Sequence, residues 1–543
     1  MPMSRLRPLI HYALIGTRQE QPPPDIASAP FDRLVDELPA TLSLERKLLL
    51  LAGSEAVYAV AGASTLPLGV TMAAAPPEKL PSCSWQAAAL IQSALQQSRR
   101  EQQVQALELV ARHGRRLPFD LLPTLFEMLS NEGLSSQTVA ALRPVLASLV
   151  GERGRWLARF HPAWHKVLIS SLPATELSEQ ELSLLWQESS TPERLALLRQ
   201  LRVYNRPLAR QWLAEAWPKE RLEQRLALLG TFEIGLEKAD EVFLEKVRDQ
   251  RSYHERRLAA ALLVRLPSSA CHRELLLVAQ GLLQREERSE DGGVVHAVLP
   301  AAYSPAWRRF GIEQLGSSQE NRAMWLQALI SLVPPSFWEE QLQLSPASII
   351  RLLECDWRSQ VLAGLIQATL LHRATSWARA LLSWLDPDQR QPLAEAEELL
   401  SCLEQPEAEQ FLLHALASPE QPWSKRWLAL LAKLPRPWSA AFGCSFIEYL
   451  QGRFQQLIQR STQASSQVEP WELVEEWQQW EKGLKIASNA LPEACFDFAL
   501  QVLQPILPQK TQSYYVRNNI IPSFNAFLED KAFLSNLLKE LER

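Results

Sequence analysis

Dense leucine runs closed by proline are the first pattern along this chain. Three of them end alike: A-A-L-L-V-R-L-P at Pro267, Q-A-L-I-S-L-V-P at Pro334 and L-A-L-L-A-K-L-P at Pro435. Apolar residues are too dense there for a thin amphipathic stripe, so each run predicts a helix buried on most of its sides. Proline has no N–H and cannot carry such a helix on. Start signals complement these stops. Thr191-Pro192, Ser304-Pro305 and Ser345-Pro346 each place a capping hydroxyl before a first-turn proline. Ser178 with Glu181, and Ser317 with Glu320, have capping-box spacing ahead of Leu-rich runs. The expected fold is all-α.

The three proline-ended runs are unevenly spaced, which excludes a strict short repeat of constant period. Diverged helical pairs of about 40 residues would tolerate such gaps. The clearest unit runs from Leu236 to Pro267: a helix from Ala239 to Val247, then Asp249, a polar turn and Arg256-Arg257 opening an Ala-rich helix. An Asp before the turn and an Arg after it is the ladder arrangement of HEAT-type repeats. Asp356-Trp357-Arg358 is a weaker echo. The expectation is an irregular HEAT-like α-α superhelix, a solenoid of stacked pairs. The plainer alternative is a generic Asp and Arg on unrelated helices. Two joints are predicted, a solvated charged loop over Gln284 to Gly293 and a polar stretch over Ser461 to Pro470. They suggest an N-terminal helical lobe (1–150), an Arg-rich HEAT-like centre (151–283), a third helical region (294–460) and a C-terminal one (471–543).

Composition narrows the class. The chain has 543 residues, 47% hydrophobic and 22% charged, with a net charge of −5. That balance fits a folded body and argues against a whole-protein electrostatic grip on nucleic acid. Only 19 Gly stand against 37 Pro, a poor match to Gly-hungry Rossmann, barrel or sandwich folds. Six Cys are scattered without a C-x-x-C pair, as expected of buried thiols in a reducing compartment rather than a disulfide framework or a zinc site. The N-terminal apolar run is broken by His11 and has no small-x-small cleavage site. The long uncharged stretch between Glu55 and Glu78 is too weakly apolar to span a membrane. A cytoplasmic protein without a membrane segment is expected.

The string Gly151-Glu152-Arg153-Gly154-Arg155-Trp156-Leu157-Ala158, followed by His161-Pro162-Ala163-Trp164, resembles the signature of a bacterial family of large helical proteins of unknown function. Other pieces match in order: A-L-I-G-T-R (Ala13 to Arg18), E-R-K-L-L-L-L-A-G (Glu45 to Gly53), Trp186, Trp217, Arg225 and D-E-V-F-L-E (Asp240 to Glu245). The resemblance covers residues 10–385. It departs after Trp186, where Glu-Gly is expected and E-S-S stands. Family members tend to be encoded beside MoxR-type AAA ATPases, von Willebrand A proteins and SWIM zinc-finger proteins. The resemblance therefore implies a helical solenoid acting with such an ATPase system, and no catalytic residue.

Candidate chemistry is sparse. His161 and His165 have metal-sharing spacing, but Pro162 argues that a helix merely begins there, with His161 near its cap. No Walker A, G-x-G-x-x-G or G-x-S-x-G string occurs. No cofactor is expected, and a metal hydrolase is a distant third reading. Between residues 151 and 273, 16 of the 20 cationic residues are Arg, and they outnumber the acids. Trp156, Trp164, Trp186, Trp212 and Trp217 share this stretch. Arg suits bidentate contacts and aromatic stacking, so a basic, Trp-bearing groove for nucleic acid, as in glycosylase-like HEAT proteins, is one alternative. An internal Arg–carboxylate ladder is the simpler one. The remaining Trp cluster at Trp423, Trp427 and Trp438, and at Trp471, Trp477 and Trp480. They are expected mainly to pack between helices, a partner groove being the alternative.

The reading is a non-enzymatic interaction scaffold. Its candidate partner-binding residues are Arg153, Arg155, Trp156, Arg159, Trp164, Arg199, Arg210 and Trp217. The expected partner is an acidic protein, an AAA ATPase or a von Willebrand A protein, in contrast to acidic segments of this chain such as Ala394 to Gln410. The alternative is a HEAT-like nucleic-acid-binding or DNA-repair protein.

Overall fold

The structure is a computed structural model that describes residues 39, 41–61, 74–96, 99–130, 136–287, 293–384, 396–416, 425–463, 471–506 and 515–543. The A-L-I-G-T-R string and most of the 461–470 joint lie outside them. The chain divides into two units, 1–75 and 76–543. In the first, helix α1 (Leu44–Ala61) buries Leu48 and leaves Leu49, Leu50 and Val57 exposed. None of the described helices is long and apolar enough to cross a membrane.

The second unit is mostly helical. Its first stretch holds α2 (Trp85–Gln96), α3 (Arg100–Arg112), α4 (Leu122–Ser130), α5 (Ser136–Ala158) and α6 (Pro162–Ile169). Then come α7 (Glu179–Glu188), α8 (Thr191–Tyr204), α9 (Arg206–Ala216), α10 (Leu222–Gly230), α11 (Glu241–Arg248), α12 (Tyr253–Leu263) and α13 (Ala270–Ala279). After a hairpin follow α14 (Gln319–Ile330), α15 (Pro335–Leu342), α16 (Pro346–Leu352), α17 (Arg358–His372) and α18 (Thr375–Trp384). The last are α19 (Gln405–Leu416), α20 (Lys425–Lys433), α21 (Ala440–Gln463), α22 (Trp471–Ala490), α23 (Phe496–Leu503) and α24 (Ile521–Glu542).

The local signals explain these bounds. The Ser178–Glu181 capping box forms, with the Glu181 N–H donating to Ser178 Oγ and the Ser178 N–H donating to Glu181 Oε2. Ser345 caps α16 ahead of Pro346. Two starts shift by one residue. Ser190, not Thr191, pairs with Glu193, and Ser318, not Ser317, caps α14 through the Asn321 N–H. The leucine runs stop as the prolines require: α12 ends before Pro267, α14 before Pro334 and α20 before Pro435.

The 284–293 stretch is not simply a loop. Strands β1 (Leu283–Glu286) and β2 (Val294–Ala297) pair antiparallel around it, Leu283 opposite Ala297. Leu283 and Val295 are buried while Gln284, Arg285 and Glu286 face out. Gly293 opens β2 at φ 95°, where a Cβ would lie 2.8 Å from the Glu286 carbonyl. Charge on one side of the hairpin masked a strand that the core demands.

Helices pack on their neighbours and on the next helix but one: α8 on α10, α10 on α12, α19 on α21, α20 on α22, α21 on α23 and α22 on α24. One apolar core runs from Cys83 to Leu541. The circuit then closes, because α24 packs against α2 and α3. Polar contacts also tie this seam. Arg99 meets Glu529 at 2.8 Å, Gln105 Nε2 donates to the Ser488 carbonyl and Asn489 Oδ1, and Arg112 and His113 both meet Glu493. Lys531, fully buried, donates to the Ser488 carbonyl at 2.7 Å and to Gln105 Oε1 at 3.3 Å.

Candidate protein-contact site

The signature string sits on a break in α5. Gly151 adopts φ 64°, ψ −172°, so the helix stops and restarts there. A side chain is barred twice over: the φ is left-handed, and a Cβ would collide with the Glu78 carboxylate. Glu78 uses that approach to cap the restarted segment, accepting the Glu152 N–H at 2.9 Å and the Arg153 N–H at 3.1 Å. Lys79 pairs with Glu152 at 2.8 Å. Gly154 lets α4 approach, since a Cβ there would lie 3.3 Å from Leu122 Cδ1. Ala158 is buried. The two glycines and the alanine of the motif are therefore backbone devices.

The arginines of the centre form a directional ladder. Arg143 of α5 reaches Glu193 of α8, Arg194 of α8 reaches Glu220, and Arg225 of α10 reaches Glu255 of α12. Arg248 of α11 reaches Glu274 of α13, and Arg256 of α12 reaches Glu313. In each, the guanidinium lies upstream of its carboxylate. Separations recur: 26 residues for Arg194–Glu220, 27 for Arg210–Glu237, 26 for Arg248–Glu274 and 28 for Arg379–Glu407. These steps are shorter than the 40-residue unit that the leucine runs suggest.

At the centre of the ladder Arg202 and Asp240 are both fully buried and paired bidentately at 3.0 and 2.7 Å. Arg202 also donates to the Ile234 and Gly235 carbonyls, and Arg210 adds a bond to Asp240 at 2.8 Å. Burial alone would raise the Asp240 carboxyl, but the Arg202 and Arg210 hydrogen bonds outweigh it and hold it below the usual range. Asp249 and Arg256, the two ladder residues of the HEAT-like unit, each pair with a residue further along the chain, Arg309 and Glu313. Arg256 also donates to the Gln250 and Arg251 carbonyls, while Asp249 meets Arg309 at 3.4 Å. Arg257 meets no carboxylate among the described residues. It donates to the Ala328 carbonyl and to Ser331 at the end of α14, and burial pulls it down to about 10.

The expected contact residues separate into two groups. Arg155 pairs with Glu176 at 2.7 Å, and Arg210 is spent on Asp240 and Glu237. Trp164 stacks on Phe126 at 4.9 Å, and Trp217 is buried, edge-on to Phe243. Trp217 is buried, while Arg155, Trp164 and Arg210 are half-buried, each engaged by a partner within the fold. Arg153, Arg159 and Arg199 are exposed. Arg153 lies 4.4 Å over the Phe119 ring; Arg159 and Arg199 form no ion pair among the described residues. Trp156 is half-buried and holds Phe160 edge-on at 4.9 Å, leaving Phe160 57% exposed. The structure thus gathers Arg153, Trp156, Arg159 and Phe160 at one corner, with the exposed Lys166 on the next helix. Arg199 stands apart on α8. Phe160 and Lys166 were missed by sequence reasoning, although F-H-P marks a helix end and start where an aromatic can be stranded.

His161 is the N-cap of α6, its Nδ1 accepting the Trp164 N–H at 3.4 Å. No three His, Cys, Asp or Glu side chains converge on a metal site among the described residues. Trp438, Trp477 and Trp480 are buried, with the last two donating to Ser461 Oγ and the Leu450 carbonyl, while Trp471 is exposed. Trp423 and the Trp427 side chain lie outside the described residues. The acidic 394–410 segment is partly engaged: Glu407 pairs with Arg379, Glu398 with Lys433, and Glu409 accepts from Ser439.

Comparison with known proteins completes the picture. No curated protein and no solved structure is similar to the chain. A family model described as a family of unknown function (DUF5691) matches residues 8–534 and so takes in the last third that the sequence motifs left open. With nearly its whole length inside that match, the chain belongs to the DUF5691 family.

Proposed function

We propose that this protein is a non-enzymatic interaction scaffold, built as an irregular HEAT-like superhelix, whose contact with its partner is the corner at Arg153, Arg159, Phe160 and Lys166. Neighbour and next-but-one helix packing supports the stacked arrangement. The observation that carries the contact is Phe160: a large aromatic left 57% exposed, propped on Trp156, on a stretch that also exposes Arg153 and Arg159. Aromatic and Arg anchors of this kind dominate binding energy at protein interfaces. The charge calls for an acidic surface on the partner, and a MoxR-type AAA ATPase assembly in the cytoplasm, with its von Willebrand A component, is the setting the family resemblance implies.

The test is a binding titration of the full chain against such an ATPase. R153E/R159E with F160A should weaken binding by at least about tenfold, roughly 1.4 kcal/mol, while Arg155→Ala, which removes only the pair with Glu176, should change it little. Unaltered binding by the triple variant overturns the assignment of this corner. A mobility shift on duplex DNA that fades steeply with salt would move the reading to nucleic acid.

A further inference from the structure

The six cysteines look unrelated in sequence, yet the fold brings two into contact. Cys444 lies on α21, and Cys495 lies 51 residues on, in the turn between α22 and α23. Their sulfurs are 3.3 Å apart. No other pair of cysteine sulfurs is in contact among the described residues. Gly443 makes the approach possible, because a Cβ there would lie 3.1 Å from both Cys495 Sγ and Pro492 Cδ. Cys444 is half-buried and reachable, whereas Cys495 is fully buried, its thiol 3.4 Å from the Ala440 carbonyl. The same turn closes the circuit of helices. Asn489 and Glu493 take Gln105 and Arg112 of α3 and His113 just after it.

We propose that Cys444 and Cys495 are a peroxide-sensitive dithiol that closes to an intramolecular disulfide and pins the seam turn to α21. The inference is independent of the scaffold reading. In the first step the Cys444 thiolate attacks one peroxide oxygen. The O–O bond breaks, Cys444 becomes a sulfenic acid, and the other oxygen leaves as an alcohol or water. In the second step the Cys495 sulfur attacks Cys444; the S–S bond forms, the S–O bond breaks, and hydroxide departs as water with the Cys495 proton. Two thiols lose two electrons and the peroxide gains them. Burial pushes the Cys495 thiol up to about 12, so it stays protonated and unreactive until the Cys444 sulfenic acid forms beside it. A disulfide bond is about 2.05 Å long, so the sulfurs need to close by roughly 1.2 Å.

The experiment treats the full chain with hydrogen peroxide, blocks remaining thiols with an alkylating reagent and maps unreduced peptides by mass spectrometry. A Cys444–Cys495 cross-linked peptide should form and revert with dithiothreitol, while Cys83, Cys271 and Cys402 remain thiols. Cys495→Ser should leave Cys444 trapped as a sulfenic acid, raising dimedone labelling about tenfold or more over the unsubstituted chain. Hydrogen exchange across 489–496 should slow on oxidation of the unsubstituted chain and not of Cys444→Ser. Oxidation of Cys444 to a sulfinic acid without cross-linking, or dimedone labelling of Cys495 in Cys444→Ser, overturns the proposal.

Discussion

Two polar networks hold the second unit, and they are built on opposite principles. The central ladder joins helices that follow one another within a few tens of residues, such as Arg202 to Asp240. The seam joins segments some four hundred residues apart: Arg99 to Glu529 spans 430, Gln105 to Asn489 spans 384. The ladder is buried at its centre, with Arg202 and Asp240 fully enclosed, whereas Arg99 and Glu529 are 48% and 61% exposed. Each ladder link closes a short loop. The seam closes a very long one with weak, screened pairs, and its closure entropy is the larger. The ladder links successive helices, and the seam is the interface expected to open first. Its one strongly committed group is Lys531, a cation buried against the Ser488 carbonyl, Gln105 and Asp530.

The comparison breaks if the ladder is dispensable. Asp240→Ala strips the carboxylate from two arginines, one of them fully buried, and should cost about 3–5 kcal/mol, read from the urea midpoint. Asp240 is held low in the fold, so its contribution is complete above the unfolded value near 3.9 and fades as pH falls through the folded one. A loss under about 1 kcal/mol, the level of an exposed pair, would erase the distinction.

Lys531→Met probes the seam and should cost less, about 1–3 kcal/mol, from polar groups left unpaired. Its pH signature is specific. Burial lowers the folded Lys531 value, against the pull of Asp530, so the folded state binds fewer protons than the unfolded one between the two values. Stability should therefore gain as pH rises through that window towards about 10.4, and Lys531→Met should lack the gain. Equal slopes in both proteins would refute it.

The smallest effect sharpens the contrast. Arg99→Ala should change global stability by less than about 1 kcal/mol. Raising salt to about 1 M shortens screening to roughly 3 Å and should speed hydrogen exchange in residues 99–113 but not in 197–248. Parallel acceleration would mean that both networks rest on exposed charge.

Much of the helix inventory was legible because it is written locally. The Ser178–Glu181 box, His161 ahead of Pro162 and the Leu runs before Pro267 and Pro334 each state their structure within a few residues. The one-residue shifts at Ser190 and Ser318 arise where two adjacent hydroxyls compete for one cap. The ladder was foreseen as a kind of structure, and Asp249 and Arg256 were named for it, but their partners Arg309 and Glu313 were not. The separation of 26–28 residues that four of the Arg–carboxylate pairs share is carried by charge and not by leucine spacing. The hairpin, the seam and the Cys444–Cys495 contact leave no local trace, because each depends on segments that meet only after the helices pack. The candidate corner was half legible: Arg153, Trp156 and Arg159 were named, whereas Arg155, Trp164, Arg210 and Trp217 are engaged by partners within the fold.

Glu78 settles a practical matter of where this molecule can be cut. The boundary between the units falls just before Pro76, yet a carboxylate two residues further on supplies the lid for a helical segment more than seventy positions downstream. A shortened chain that starts at Pro76 keeps that lid; one trimmed to the first helix at Trp85 exposes the amides of Glu152 and Arg153 to water and frees the corner that carries Phe160.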